Sequence, residues 1–178
     1  LVEAAVWWGP LRQGAAERIA TVLGTVEGQS PGGPPDVACT VLDDADGVPR
    51  PPVGPVGRWV VEPDPAVIRA GLVSVLAARI SGWLLDPRIA YIAADAEPPA
   101  TPLGARFEVL DRIPFGRRAM RAALRQQGYG DVVIKKRGLN LVPEQVRASL
   151  RLDGDGATAT LLLTRTDAGP LALLVRRA

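Results

Sequence analysis

Residues 106–137 read RFEVLDRIPFGRRAMRAALRQQGYGDVVIKKR, and this stretch decides the fold class because its hydrophobic period changes twice. From Arg106 to Ile113 apolar and polar residues alternate, which predicts a strand with Phe107, Val109 and Asp111 on one face and Glu108 and Leu110 on the other. From Phe115 to Gln127 the period lengthens to that of a helix, with Phe115, Met120, Ala123 and Leu124 as the core stripe. Gly128 and Gly130 end that helix, and Asp131–Arg137 returns to strand. A strand, a helix and a strand within 32 residues place the chain in the α/β (α+β) class.

The same stretch is unusual in charge. Between Arg112 and Arg137 eight cationic side chains face one acid, Asp131. Arg117, Arg121 and Arg125 recur every four residues along the helix with Arg118 beside them, and Lys135, Lys136 and Arg137 close the following strand. Such repulsion is unfavourable unless water, salt or an anionic partner screens it. A strand ending beside that helix would merge Arg117, Arg118, Arg121, Arg125, Lys135, Lys136 and Arg137 into one phosphate-binding surface, with RNA as the first partner to consider. The alternative is the solvated side of an ordinary amphipathic helix. Tyr129, between two glycines, is the candidate base-stacker, since Phe115 falls on the core stripe, although core or turn packing is the favoured reading for Tyr129.

The rest of the chain sharpens this asymmetry. Residues 1–103 carry seven arginines against twelve acids, a net of −5, whereas residues 104–178 carry fourteen basic residues against seven acids, a net of +7. Nearly half of the 178 residues are apolar, enough for a sizeable core in one domain or in a domain with a smaller unit. Histidine is absent and Cys39 is the only cysteine, so the commonest general base, an intrachain disulfide and a thiolate cluster are all excluded. A self-sufficient hydrolase has little to work with. Asp153 and Asp155 lack the later acidic ligand of a calcium loop and read as turn residues. No glycine-rich nucleotide loop or serine elbow stands out. Ala66–Leu85, the most apolar stretch, is interrupted by Arg69 and Arg79 and is too amphipathic to span a bilayer. No secretory signal opens the chain, and a reducing, cytoplasmic setting is expected.

Working outward, Leu1–Trp8, Arg18–Gly24 and Val37–Leu42 read as strands, Gln29–Pro35 as a Gly/Pro loop, and Asp43–Pro55 as an exposed linker. Arg58–Val61 is a strand that enters Glu62-Pro63-Asp64-Pro65. Asp64 suits an N-cap and Pro65 the first helical position, and one helix is expected from there to Ile80, ended by Gly82. Ile89–Ala93 is a strand, Pro143–Leu150 a helix, and Ala157–Arg165 with Leu171–Arg176 a closing hairpin. This gives a mixed sheet with about three helices.

Trp59-Val60-Val61-Glu62-Pro63-Asp64-Pro65-Ala66-Val67-Ile68-Arg69-Ala70-Gly71-Leu72, together with Ile134-Lys135-Lys136-Arg137-Gly138, resembles the carboxy-terminal THUMP-like domain of bacterial class I S-adenosylmethionine-dependent methyltransferase-like proteins. The resemblance runs over about residues 58–178. It implies that residues 1–57 are the closing strands of a Rossmann-like methyltransferase sheet plus a linker, and that a chain opening on Leu1 without methionine is cut from a longer protein. It further implies an RNA-docking portion, with tRNA as a candidate partner, that is not catalytic by itself. The S-adenosylmethionine site would lie in a preceding domain of the same polypeptide, with no cofactor, catalytic or metal-binding residue in this chain. The alternative function is a structural or protein-interaction module that caps the methyltransferase domain.

Overall fold

The computed structural model describes residues 14–25 and 37–178. The expected strand at Leu1–Trp8 and the loop at Gln29–Pro35 lie outside these residues. The first described elements are the strands β1 (Ile19–Thr25) and β2 (Val37–Asp43), which pair antiparallel with each other. The remaining strands form a single sheet: β3 (Trp59–Pro63), β4 (Trp83–Asp86), β5 (Ile89–Ala94), β6 (Gly104–Pro114), β7 (Tyr129–Lys136), β8 (Ala157–Thr166) and β9 (Gly169–Arg177). Their order across the sheet is β4-β5-β3-β6-β9-β8-β7, antiparallel except for the β7–β8 pair. A parallel pair cannot be joined by a tight turn, and α4 (Pro143–Leu150) supplies the crossover. The mixed α/β class is as the sequence predicts, with a short strand, β4, that its four residues had not disclosed.

One helix was expected from Pro65 to Ile80, and two are present: α1 (Pro65–Arg69) and α2 (Val73–Arg79). Asp64 does cap the first, accepting the Ala66 N–H at 2.8 Å. The break is a Schellman turn. Leu72 N–H reaches back to the Val67 carbonyl and Gly71 N–H to that of Ile68, both at 3.0 Å, with Gly71 in the left-handed region at φ 70°. Val67 and Leu72, the apolar pair that accompanies such a turn, are both fully buried. α2 ends the same way, with Gly82 N–H on Ala77 and Ser81 N–H on Ala78. Here Ser81, not Gly82, takes the left-handed position, at φ 53°.

The sheet is strongly curled. β3 and β7 are four strand spacings apart, roughly 19 Å in a flat sheet, yet Lys135 of β7 lies 2.7 Å from Glu62 of β3. Gly138, just beyond β7, lies so close to Ile89 that a Cβ on it would collide with that side chain. The concave face is filled by Val60, Tyr91, Phe107, Leu162, Leu173 and Val175. The convex face is covered twice. At one end α1, α2 and the paired strands β1 and β2 bury Leu42, Val61, Val67, Leu72, Leu76 and Ile92. At the other end α3 (Arg117–Gln126) and α4 bury Met120, Leu124, Leu150, Leu161, Leu163 and Leu174.

A bulge lets one strand serve both cores. β6 and β9 pair Val109 with Val175 and then Asp111 with Leu174, leaving Leu110 as the extra residue. Phe107 and Val109 therefore face the concave core, while Ile113, one phase later, faces α3. Asp111 does not share a face with Phe107, contrary to the simple alternation expected from the sequence. Phe115 is another departure: it is 41 % exposed and not on the core stripe of the helix. The expected linker is also partly built into the fold. Asp44 is buried and accepts N–H bonds from Glu17 and Arg18, Val53 bridges Leu84, and Val56 packs on the concave core.

Ser81 is the residue to change as a test of this turn geometry. Ser81→Gly should raise the unfolding free energy by about 0.5–1 kcal/mol, and Gly71→Ala should lower it by at least as much. Urea denaturation of the two variants measures both.

Candidate nucleic-acid interface

The seven cations expected on one surface divide between the two faces of the curled sheet. Strand alternation turns Lys135 toward the concave face and Lys136 to the convex one. Lys135 Nζ donates to Glu62 Oε2 at 2.7 Å, and Arg137 Nη2 donates to Glu62 Oε1 at 3.3 Å. The same two cations stand over aromatic rings, Lys135 at 5.7 Å from the Phe107 centroid and Arg137 at 5.6 Å from that of Tyr91. Side-chain exposures of 40 % for Lys135, 29 % for Arg137 and 17 % for Glu62 place the group at the rim of the concave core. Glu62 belongs to the first of the two motifs that carry the family resemblance, and Lys135 and Arg137 to the second, so the two motifs meet as one ionic knot. Beneath it Tyr91 is fully buried. Burial pushes its phenol above the ordinary range, Glu62 adds to the rise, and Arg137 opposes it. Lys136 is separate and exposed, donating at 3.4 Å to the Leu139 carbonyl.

The four helical arginines remain together. Arg117, Arg118, Arg121 and Arg125 lie on one flank of α3, away from the Met120 and Leu124 stripe that faces the sheet. Packing of Leu124 and Leu150 in one core brings the end of α4 beside them. An open pocket of about 600 Å³ results, lined by those four arginines, Ala122, Ser149 and Arg151. Arg125 donates to Asp153 Oδ1 at 2.6 Å. Arg117, Arg118 and Arg121 have no ion pair among the described residues. Asp131, the one acid inside the cationic stretch, is occupied elsewhere by a two-pronged contact from Arg147, at 2.9 and 2.7 Å.

Arg151 and Ser149 were not singled out from the sequence. Arg151 sits four residues after Arg147, but it joins α3 only through packing between elements. It caps α4 in the left-handed region at φ 48°, beyond the regular helix. Each charged group lining the pocket is a guanidinium, whose paired N–H donors match phosphate oxygens. Among the described residues there is no group of three or more potential metal ligands, and no helix is long and apolar enough to cross a membrane.

Residues 104–177 match the family described as THUMP domain-like. The chain is also 42 % identical, over 120 residues, to proteins from two strains of Mycobacterium tuberculosis, each named an uncharacterized S-adenosylmethionine-dependent methyltransferase. That match takes in 67 % of this chain and 32 % of each relative, so the chain spans about a third of the relatives' length. A crystal structure named as a putative methyltransferase from Porphyromonas gingivalis W83 has the same fold over 86 % of this chain and 37 % of its own. The TM-score is 0.62 and the identity 22 %. The turns at Pro63–Asp64 and Phe115–Gly116, where β3 meets α1 and β6 meets α3, form no glycine-rich loop of the kind that cradles a nucleotide cofactor.

Two stability measurements test this geometry. Glu62→Gln leaves two half-buried cations without their acid and should cost about 1–3 kcal/mol; adding Lys135→Met should recover part of that loss, as read by urea denaturation. The second concerns acid. The Arg147 guanidinium first, then the Val132 N–H, hold the Asp131 carboxyl below its ordinary range, against the effect of burial. Because the folded value is the lower one, the pair contributes fully above the ordinary carboxylate range and is lost as pH falls through the depressed value. Asp131→Asn should therefore flatten the acid limb of the stability–pH curve and leave its neutral part similarly sloped.

Proposed function

We propose that the chain is the RNA-docking portion of an S-adenosylmethionine-dependent methyltransferase, with the α3 arginine row and Arg151 as its phosphate-binding surface. The observation that carries this reading is the open pocket lined by five arginines, three of them on α3 with no acid partner among the described residues. The THUMP-like match and the names of the relatives support the setting. Phosphate contacts of this kind hold the backbone and position the RNA without reading its bases. Transfer RNA is the substrate class in view, and residues 58–178 act as the docking unit while residues 1–57 join it to the methyltransferase domain. Methyl transfer and the cofactor belong to the part of the parent protein that this chain does not include, and the chain is not catalytic by itself.

A structural role is the better reading for Lys135 and Arg137, because Glu62 already neutralises part of their charge and their ammonium and guanidinium groups lie over buried rings. The reading therefore assigns different work to the two halves of the cationic stretch.

Binding of a tRNA transcript measured against salt separates them. Arg118→Glu with Arg121→Glu should weaken binding at least about tenfold at low salt and reduce the slope of log K against log salt by about two. Lys135→Gln should lower stability with little change in that slope. Equal affinity of the wild type and the Arg118/Arg121 variant would remove the proposed surface.

A further inference from the structure

We propose that Phe115 is a stacking platform for an unpaired base at the head of the arginine row; this rests on the RNA reading above. Phe115 is the one aromatic side chain among the described residues that is exposed, at 41 %. Trp59, Tyr91 and Phe107 are buried, and Tyr129 packs on the core beneath α3 and α4. Trp83 is half-buried and its indole N–H donates to the Pro55 carbonyl at 2.6 Å. Phenylalanine is among the residue types most often buried, and here a partly exposed ring adjoins a row of cations rather than the core.

The local backbone holds that ring in a fixed place. Pro114 is the last residue of β6 and is paired with Leu171 of β9. Gly116 caps α3, its carbonyl accepting the Met120 N–H at 3.0 Å. Phe115 stands between these two anchors, two residues before Arg117 and three before Arg118, both of which line the pocket. It also occupies the position before the N-cap, from which an apolar side chain commonly folds onto the fourth helical residue. That residue is Met120, buried at 3 % exposure against the sheet, while Phe115 keeps 41 % of its surface open to solvent. A ring on a pinned backbone loses little freedom when a base stacks on it.

The arginines and the ring would then do complementary things. Guanidinium groups hold phosphates of any sequence, paired or unpaired. A ring can stack only on a base that is free of its helix, and RNA presents such bases in loops, bulges and ends. The site should therefore favour a helix that runs out into a single strand, with the helix backbone along α3 and the first unpaired base on Phe115.

The test compares two synthetic RNA hairpins with the same helix, one blunt and one carrying a four-nucleotide 3′ overhang, bound to the 178-residue chain. Wild type should prefer the overhang about tenfold. Phe115→Ala should abolish that preference while keeping the affinity for the blunt hairpin and its salt slope. Phe115→Trp should restore it, with indole fluorescence quenched by the overhang beyond the quenching in wild type. The inference is overturned if wild type shows no preference, or if Phe115→Ala keeps it, while Arg118→Glu with Arg121→Glu still weakens both hairpins. Binding of both hairpins that survives the arginine reversal overturns the RNA reading itself.

Discussion

Glu62 of β3 meets both Lys135 and Arg137 at the end of β7, a junction that marks where the curled sheet closes over its concave core. A seven-stranded sheet could lie open with β3 and β7 far apart. Instead the carboxylate of one strand meets two cations from the end of the other, and the sheet rolls around Tyr91, Phe107 and Val60. Salt links at a surface contribute little on their own. This one is half-buried, shared between two donors, and backed by two aromatic rings, so each part limits the freedom of the others. The close approach of Gly138 to Ile89 depends on the same closure. Two sequence motifs more than sixty residues apart thus have one physical explanation: the first supplies the acid and the second the cations that close the curl.

That closure also sorts the charges by role. A run of cations at the end of a strand and a run of cations on a helix look alike in a sequence, because both are concentrations of like charge. In three dimensions they face opposite ways across the sheet. The strand pair turns inward to its acid, and the helix row turns outward with Arg151 added from α4. Five arginines of the carboxy-terminal half are therefore gathered on the face that α3 and α4 build.

Much of the fold was legible because its signals are local. Alternation marked β6, Asp64 and Pro65 marked the start of α1, and the Asp-Ala-Gly-Pro turn marked the last hairpin. What was not legible depends on contacts between distant elements. The apolar spacing from Val67 to Leu76 fits a continuous helix as well as two helices hinged at Gly71, and only the buried Val67–Leu72 contact selects the hinge. The Leu110 bulge leaves no mark on composition, yet it turns Ile113 toward α3. Phe115 continues the helical stripe by spacing but precedes the first helical residue, so the stripe does not bury it. At the site, the arginine row could be read from its four-residue repeat. The separation of Lys135 and Arg137 from it, and the arrival of Arg151, follow from the curl and from helix packing, neither of which has a local signature.

Mapping the RNA-bound surface by backbone amide NMR tests the central claim most directly. Titration of the chain with a short RNA hairpin should shift the amides of residues 115–125 and 149–151, and leave those of Glu62, Lys135 and Arg137 nearly unmoved. Shifts centred on Glu62, Lys135 and Arg137, with the α3 amides unchanged, would contradict the division of labour between the two cationic groups.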